Sequence, residues 1–166
     1  MTCGTILCED INRNMITVPA EALSFRPSVY GVLIEEGKVL LSRQWDGYDL
    51  PGGSMKLTET IDQALEREFF EETGLHVHKG EIISAVSSFF FHPHKKVPYN
   101  CILLYYLVQR VGGELSISHL DGQEKTYVKM PEWIDVREAK EKKFYNPVDN
   151  ANIIGRAVEI FKQSGS

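Results

Sequence analysis

At 166 residues the chain is the size of one domain and can bury a single sizeable core without covalent staples. Its 43% hydrophobic and 25% charged residues exclude a disordered chain, and its net charge of −5 argues against bulk nucleic-acid binding. The longest apolar run, Cys101 to Val108, is far too short to span a bilayer, so no membrane partner is expected.

The opening stretch MTCGTILCEDINRN has neither the basic nor the long apolar region of a signal peptide. Three cysteines, Cys3, Cys8 and Cys101, match no zinc spacing. Reduced thiols in a cytoplasmic protein are the simplest reading. Residues 5–18 read as two short strands around a polar turn, Asp10 to Asn14. Pro19 to Pro27 reads as a connector bounded by prolines. Ser28 to Ile34 and Val39 to Gln44 form a hairpin about EEGK. Trp45 to Gly53 is a loop. Thr60 and Gln63 fit a capping box, so a helix runs from Ile61 to about residue 73, with Gly74 as its stop. Two longer strands follow, at 81–91 and 100–110, around the loop HPHKKVPY. A short strand lies within 126–136. Ile153, Ile154, Ala157, Ile160 and Phe161 form the apolar stripe of a closing helix at about 152–163. No repeat is visible. The order predicts an α/β sandwich, a mixed sheet with helices packed on it.

The central helix carries the chemistry. Five glutamates, Glu59, Glu66, Glu68, Glu71 and Glu72, stand close together there. Glu68, Glu71 and Glu72 fall at i, i+3 and i+4, within an arc of about 100°. Their mutual repulsion has two readings. One is a solvated acidic face. The other is a site for a hard divalent cation such as Mg²⁺ or Mn²⁺, which oxygen ligands favour. Arg67 can brace Glu71 across one helical turn, and Gly52 and Gly53 would let a backbone carbonyl approach the ion.

The wider spacing is Gly53, five residues, Glu59, seven residues, Arg67-Glu68-Phe69, one residue, Glu71-Glu72, one residue, Gly74-Leu75. This resembles the Nudix box at every fixed position. YGVLIEEGKVLLSRQ, DLPGG and PEWIDVREA are similar to flanking parts of the same family, so 28–166 would be the Nudix hydrolase domain and 1–27 an N-terminal extension of short strands, within the same domain or at a dimer contact. The resemblance implies an α/β/α sandwich with a mixed sheet. It implies an Mg²⁺- or Mn²⁺-dependent pyrophosphohydrolase, in which water attacks a phosphorus of a nucleoside diphosphate or triphosphate linked to another group. By match to the box, Glu68 and Glu72 are metal ligands, Glu71 a further ligand or water base, and the Gly53 carbonyl completes the shell. Arg67 and Glu59 would orient the carboxylates. Glu124 is the candidate general base from outside the box, with Asp121 as runner-up; a plain surface loop is the alternative.

Four residues are candidates for substrate binding. Arg43 could reach a phosphate or base, or be a strand-end surface arginine. Trp45 and Tyr48 could stack on a nucleobase, or pack the loop. Asn150 resembles a purine-contacting asparagine of the MutT branch, while helix capping by Asn150 or Asn152 is the alternative. His92, His94, Lys95 and Lys96 form a cationic loop that attracts an anion or is simply solvated. No SQPWPFP stretch follows the box, and the sixteenth residue after it is Phe91 rather than the proline of many ADP-ribose hydrolases. A small nucleotide-type substrate with MutT-like trimming is therefore expected over ADP-ribose or a nucleotide sugar. A non-catalytic nucleotide-sensing module and a prenyl-diphosphate isomerase remain as other classes. The apolar strands of the extension suggest a homodimer.

Overall fold

The structure, a computed structural model, describes residues 4–165. Cys3 lies outside the described residues. The elements are β1 (Thr5–Glu9), β2 (Met15–Pro19), β3 (Ser24–Glu35), β4 (Lys38–Gln44), β5 (Gly47–Asp49) and β6 (Gly52–Ser54), followed by α1 (Ile61–Thr73). Next come β7 (Leu75–His92), β8 (Val97–Gly113), β9 (Val128–Asp135), α2 (Val136–Ala139) and α3 (Asn150–Ser164). The strand path is β2-β1-β7-β8-β3-β4-β5, with β6 on β3 and β9 on β4. The β1–β7 and β3–β8 pairs are parallel and the rest antiparallel, so the sheet is mixed as expected.

Alternation along β3 builds both layers. Val29 and Leu33 pack with Leu65 and Phe69 of α1 and with Leu75 and Val77 of β7. Tyr30, Val32 and Ile34 join Leu41, Leu103 and Tyr105, and Ile153, Ile154 and Ala157 of α3 cover them. Helix α1 lies on one side of the sheet and α3, with the short α2, on the other, which is the expected α/β/α sandwich. No helix among the described residues is long and apolar enough to cross a membrane.

Helix α1 keeps its expected bounds because local signals agree at both ends. Thr60 accepts from the Gln63 N–H, the Gln63 side chain answers on the Thr60 N–H, and Gly74 ends the helix in the left-handed region at φ 77°. Elsewhere distant partners override local signals. The connector expected up to Pro27 is strand from Ser24, because Ser24 to Pro27 pair with Tyr99 to Ile102 of β8. Pro27 has no N–H to give, but its carbonyl accepts from Met55 at 2.9 Å. The loop expected at Trp45 to Gly53 contains β5 and β6. Strands β7 and β8 outrun their expected limits because they pair along almost their whole length, past irregularities between His76 and Ser84. Helix α3 starts at Asn150, and Asp149 caps it by accepting from the Asn152 N–H at 3.0 Å, so neither asparagine is the cap.

Candidate active site

Leu65 and Phe69 anchor α1 in the core, and the same periodicity turns Glu68 and Glu72 inward beside β6. Their relative exposures are only 7% and 4%. Glu71 is half-buried. Strand β6 presses close: a Cβ on Gly53 would lie 2.6 Å from Glu68 Oε2, so only glycine leaves that carboxylate its place. The Gly52 N–H points at Glu72 Oε2 at 3.4 Å.

Arg67 organises the cluster. Its Nε and Nη2 grip the two oxygens of Glu59 at 2.5 and 2.9 Å. Its Nη1 reaches Glu68 at 2.7 Å and Glu71 at 3.3 Å, and Nη2 also donates to the Ser54 carbonyl at 3.2 Å. The guanidinium holds the Glu59 carboxyl down at about 2, and Glu59 in turn accepts from the Lys56 N–H at 2.8 Å. Glu68 and Glu72 move the other way. Burial raises the Glu68 pKa in spite of Arg67. Burial, with the charges of Glu68 and Glu124 added, raises that of Glu72 well above the carboxylate range. Burying two carboxylates is costly, and Arg67 is paired with Glu68. The donor set, all oxygen, suits a hard divalent ion. Among the described residues, however, no group of three acidic, histidine or cysteine side chains is drawn together as a finished ligand shell.

Strand β6, Arg67, Glu68, Glu71 and Glu72 line a cavity of about 560 Å³. Glu124 and Asp121 line it from the segment before β9. Glu124 is half-buried, and burial, then the charges of Glu71 and Asp121, raise its pKa. Trp45 faces the same space from an uncommon left-handed backbone at φ 45°. Its N–H donates to the Tyr127 carbonyl at 3.1 Å, its ring stacks on Tyr127 at 4.3 Å, and Tyr145 meets it edge-on at 4.9 Å. His92, His94 and Lys95 also line the cavity; burial pushes the His92 pKa down to about 4, leaving it neutral at pH 7.

Other candidates stand apart. Arg43 and Tyr48 do not line the cavity; both bond to Glu132 of β9, at 2.8 and 2.9 Å. Asn150 is buried, and its amide donates to the carbonyls of Asn146 and Val148 at 3.3 and 3.1 Å, shaping the loop rather than facing the space. The cavity wall holds residues the sequence reading passed over: Arg26, Tyr30, Asp49, Tyr127, Tyr145 and Asn146. Asp49 is 5% exposed and accepts from the Asn146 N–H at 2.9 Å. Burial raises its pKa to about 7. The one signal that could have found it is an acidic residue directly before the apolar Leu50.

Comparison with known proteins bears on this geometry. The family model described as NUDIX domain matches residues 24–154. The chain belongs to the NUDIX family. An RNA pyrophosphohydrolase of Xanthomonas campestris pv. campestris (strain B100) is 32% identical over 148 residues, covering 81% of this chain and 67% of that one. An ADP-ribose pyrophosphatase of Methanocaldococcus jannaschii is 29% identical over 93 residues, or 53% of each chain. Among solved structures, an ADP-ribose pyrophosphatase from Streptococcus suis superposes with a TM-score of 0.63 at 18% identity, covering 82% of this chain and 92% of that one, which bears on the fold. The chain is thus a Nudix hydrolase, an enzyme class that splits phosphorus-containing acid anhydrides. Nudix enzymes generally use divalent cations, and the Nudix box here, Gly53 to Leu75, contains the acidic cluster.

Proposed function

We propose that this Nudix hydrolase is an Mg²⁺- or Mn²⁺-dependent pyrophosphohydrolase of a nucleoside di- or triphosphate derivative. The observation that carries the reading is the pair of buried carboxylates, Glu68 and Glu72, packed beside a glycine strand and braced by Arg67. Glu68, Glu72 and the Gly53 carbonyl would hold the cation, with Glu71 as a further ligand. When bound, the ion supplies charge neutralisation at the phosphates and acidifies water. Arg67, clamped by Glu59, keeps Glu68 and Glu71 in place. Glu124 takes the proton of the attacking water, its raised pKa bringing it nearer the range where a general base works. Trp45, Tyr127 and Tyr145 offer flat surfaces to a nucleobase in the same cavity. Arg26 and Lys95 attract the substrate's negative charge.

A second reading is removal of pyrophosphate from an RNA 5′ end. It is favoured by the basic lining groups Arg26, Lys56 and Lys95, and by the Xanthomonas relative's activity. Cys8 and Cys101, free and buried, support the reducing cytoplasm as the working compartment. A panel of nucleoside triphosphates, nucleotide sugars, ADP-ribose, dinucleotides and 5′-triphosphate RNA, read by product identity, separates the substrates. Turnover vanishes in chelator and returns with Mg²⁺ or Mn²⁺; hydrolysis that persists in chelator would overturn the reading.

Strand β2 is the sheet's edge, and Met15 on it and Leu7 on β1 are exposed, which supports a homodimer. Sedimentation at micromolar concentration then gives twice the chain mass; a monomer there removes the idea.

A further inference from the structure

Hairpin β1–β2 lies outside the residues matched by the family model, and the chemistry above makes no use of it. Its turn is built to be rigid. The Asp10 carboxylate accepts from the N–H groups of Asn12 and Asn14, at 2.8 and 2.9 Å, and from the Asn14 amide at 3.2 Å. Backbone bonds from Asp10 to Asn14 and from Arg13 to Asp10 close it. Such local bonds fix a turn in one conformation.

The turn also has a direction. Parallel pairing of Glu9 with Phe90 brings the end of β1 to the cavity, and Ile11 lines the cavity along with Phe90, His92 and Asn146. Arg13 ties the turn to a second segment of the wall: its Nη2 donates to the Phe144 carbonyl at 3.0 Å, just before the cavity residues Tyr145 and Asn146. Its Nη1 is steadied by Glu9 at 3.3 Å. Arg13 sits at φ 66°, an uncommon backbone that the surrounding bonds maintain. Two segments distant in sequence are thus clasped around one cavity. An aliphatic side chain at that point suits an uncharged, flat group and offers nothing to a phosphate.

We propose that the β1–β2 turn is a specificity-determining wall of the cavity: Ile11 packs on the nucleobase of the substrate, and Arg13 is a positioning residue that latches the turn to residues 144–146. This rests on the hydrolase reading above.

The test uses the full chain with Mg²⁺, the best nucleoside triphosphate of the panel, and the matching ribose 5′-triphosphate without a base. Ile11→Ala raises KM for the nucleotide about fivefold, the size expected when part of a buried aliphatic contact is lost, and leaves kcat unchanged. It changes neither constant for the base-free compound. Arg13→Ala gives the same KM rise with faster amide exchange at residues 144–146, and Arg13→Lys restores most of it. Calorimetry with an α,β-methylene nucleoside triphosphate reads the same affinity loss without turnover. Unchanged KM and affinity in both variants overturn the wall while leaving the hydrolase intact. An equal KM rise for the base-free compound overturns the assignment to the base. A wild-type chain that binds the analogue but hydrolyses nothing on the panel defeats the hydrolase reading alone, and calorimetry still decides the wall. No binding and no turnover defeat both.

Discussion

Glu72→Gln lowers turnover by at least ~100-fold, the size typical of removing one transition-state stabiliser, and at the same time raises the thermal midpoint of the metal-free protein. The two effects have one origin. Glu72 is 4% exposed, and burial together with Glu68 and Glu124 opposes its charge. Gln keeps the shape and can still accept from the Gly52 N–H, but it carries no charge to desolvate. A glutamate retained for the fold would behave otherwise: its loss would lower stability and leave chemistry alone. The measurements are kcat with saturating Mg²⁺ and a melting curve in chelator. Full activity in this variant would remove Glu72 from the proposed ligand set, and a lowered midpoint would contradict the burial argument. The pattern is that of a site where stability is traded for function.

Asp49→Asn stabilises the protein at pH 8 and leaves it unchanged near pH 3. Asp49 has a folded pKa of about 7, raised by burial, against about 3.9 in an unfolded chain. The folded state therefore binds the proton more tightly. Its contribution is fully present below about pH 4 and is lost as pH rises toward 7. The gap of about three units corresponds to ~4 kcal/mol, or roughly 2–4 °C of thermal midpoint per kcal/mol for a chain of this size. Asn removes the titration and keeps the acceptor for the Asn146 N–H. Melting curves of both proteins across pH 3 to 8, taken in chelator, should diverge only above about pH 4. Parallel curves would show that Asp49 titrates as an ordinary carboxylate.

The parts of the molecule legible in the sequence are those encoded locally. Helix α1 was readable to its end residues because Thr60, Gln63 and Gly74 each act within one turn. The acidic cluster was readable because helical spacing alone places Glu68, Glu71 and Glu72 together. The substrate side was not, because it is assembled from the β1–β2 turn, β3, β5, the segment before β9 and the segment before α3, which meet only after folding. Arg43 and Tyr48 show the limit clearly. A strand-end arginine and a loop aromatic made them candidates, but pairing of β4 with β5 and with β9 delivers both to Glu132 instead. Pro27 is the backbone counterpart: its local signal reads as a break, and pairing with Ile102 keeps it in a strand.

The parallel pairing of β3 with β8 joins residues 24–33 to residues 99–108. A ribosome making this chain releases β3 and β4 long before β8 exists, so the middle of the sheet has a gap until residues 99–108 have emerged. Val29, Leu33 and Tyr30 wait through that interval without their eventual neighbour. Long-range closure of this kind slows folding, so the nascent chain depends on α1 and the β3–β4 hairpin to shelter its apolar residues until β8 arrives.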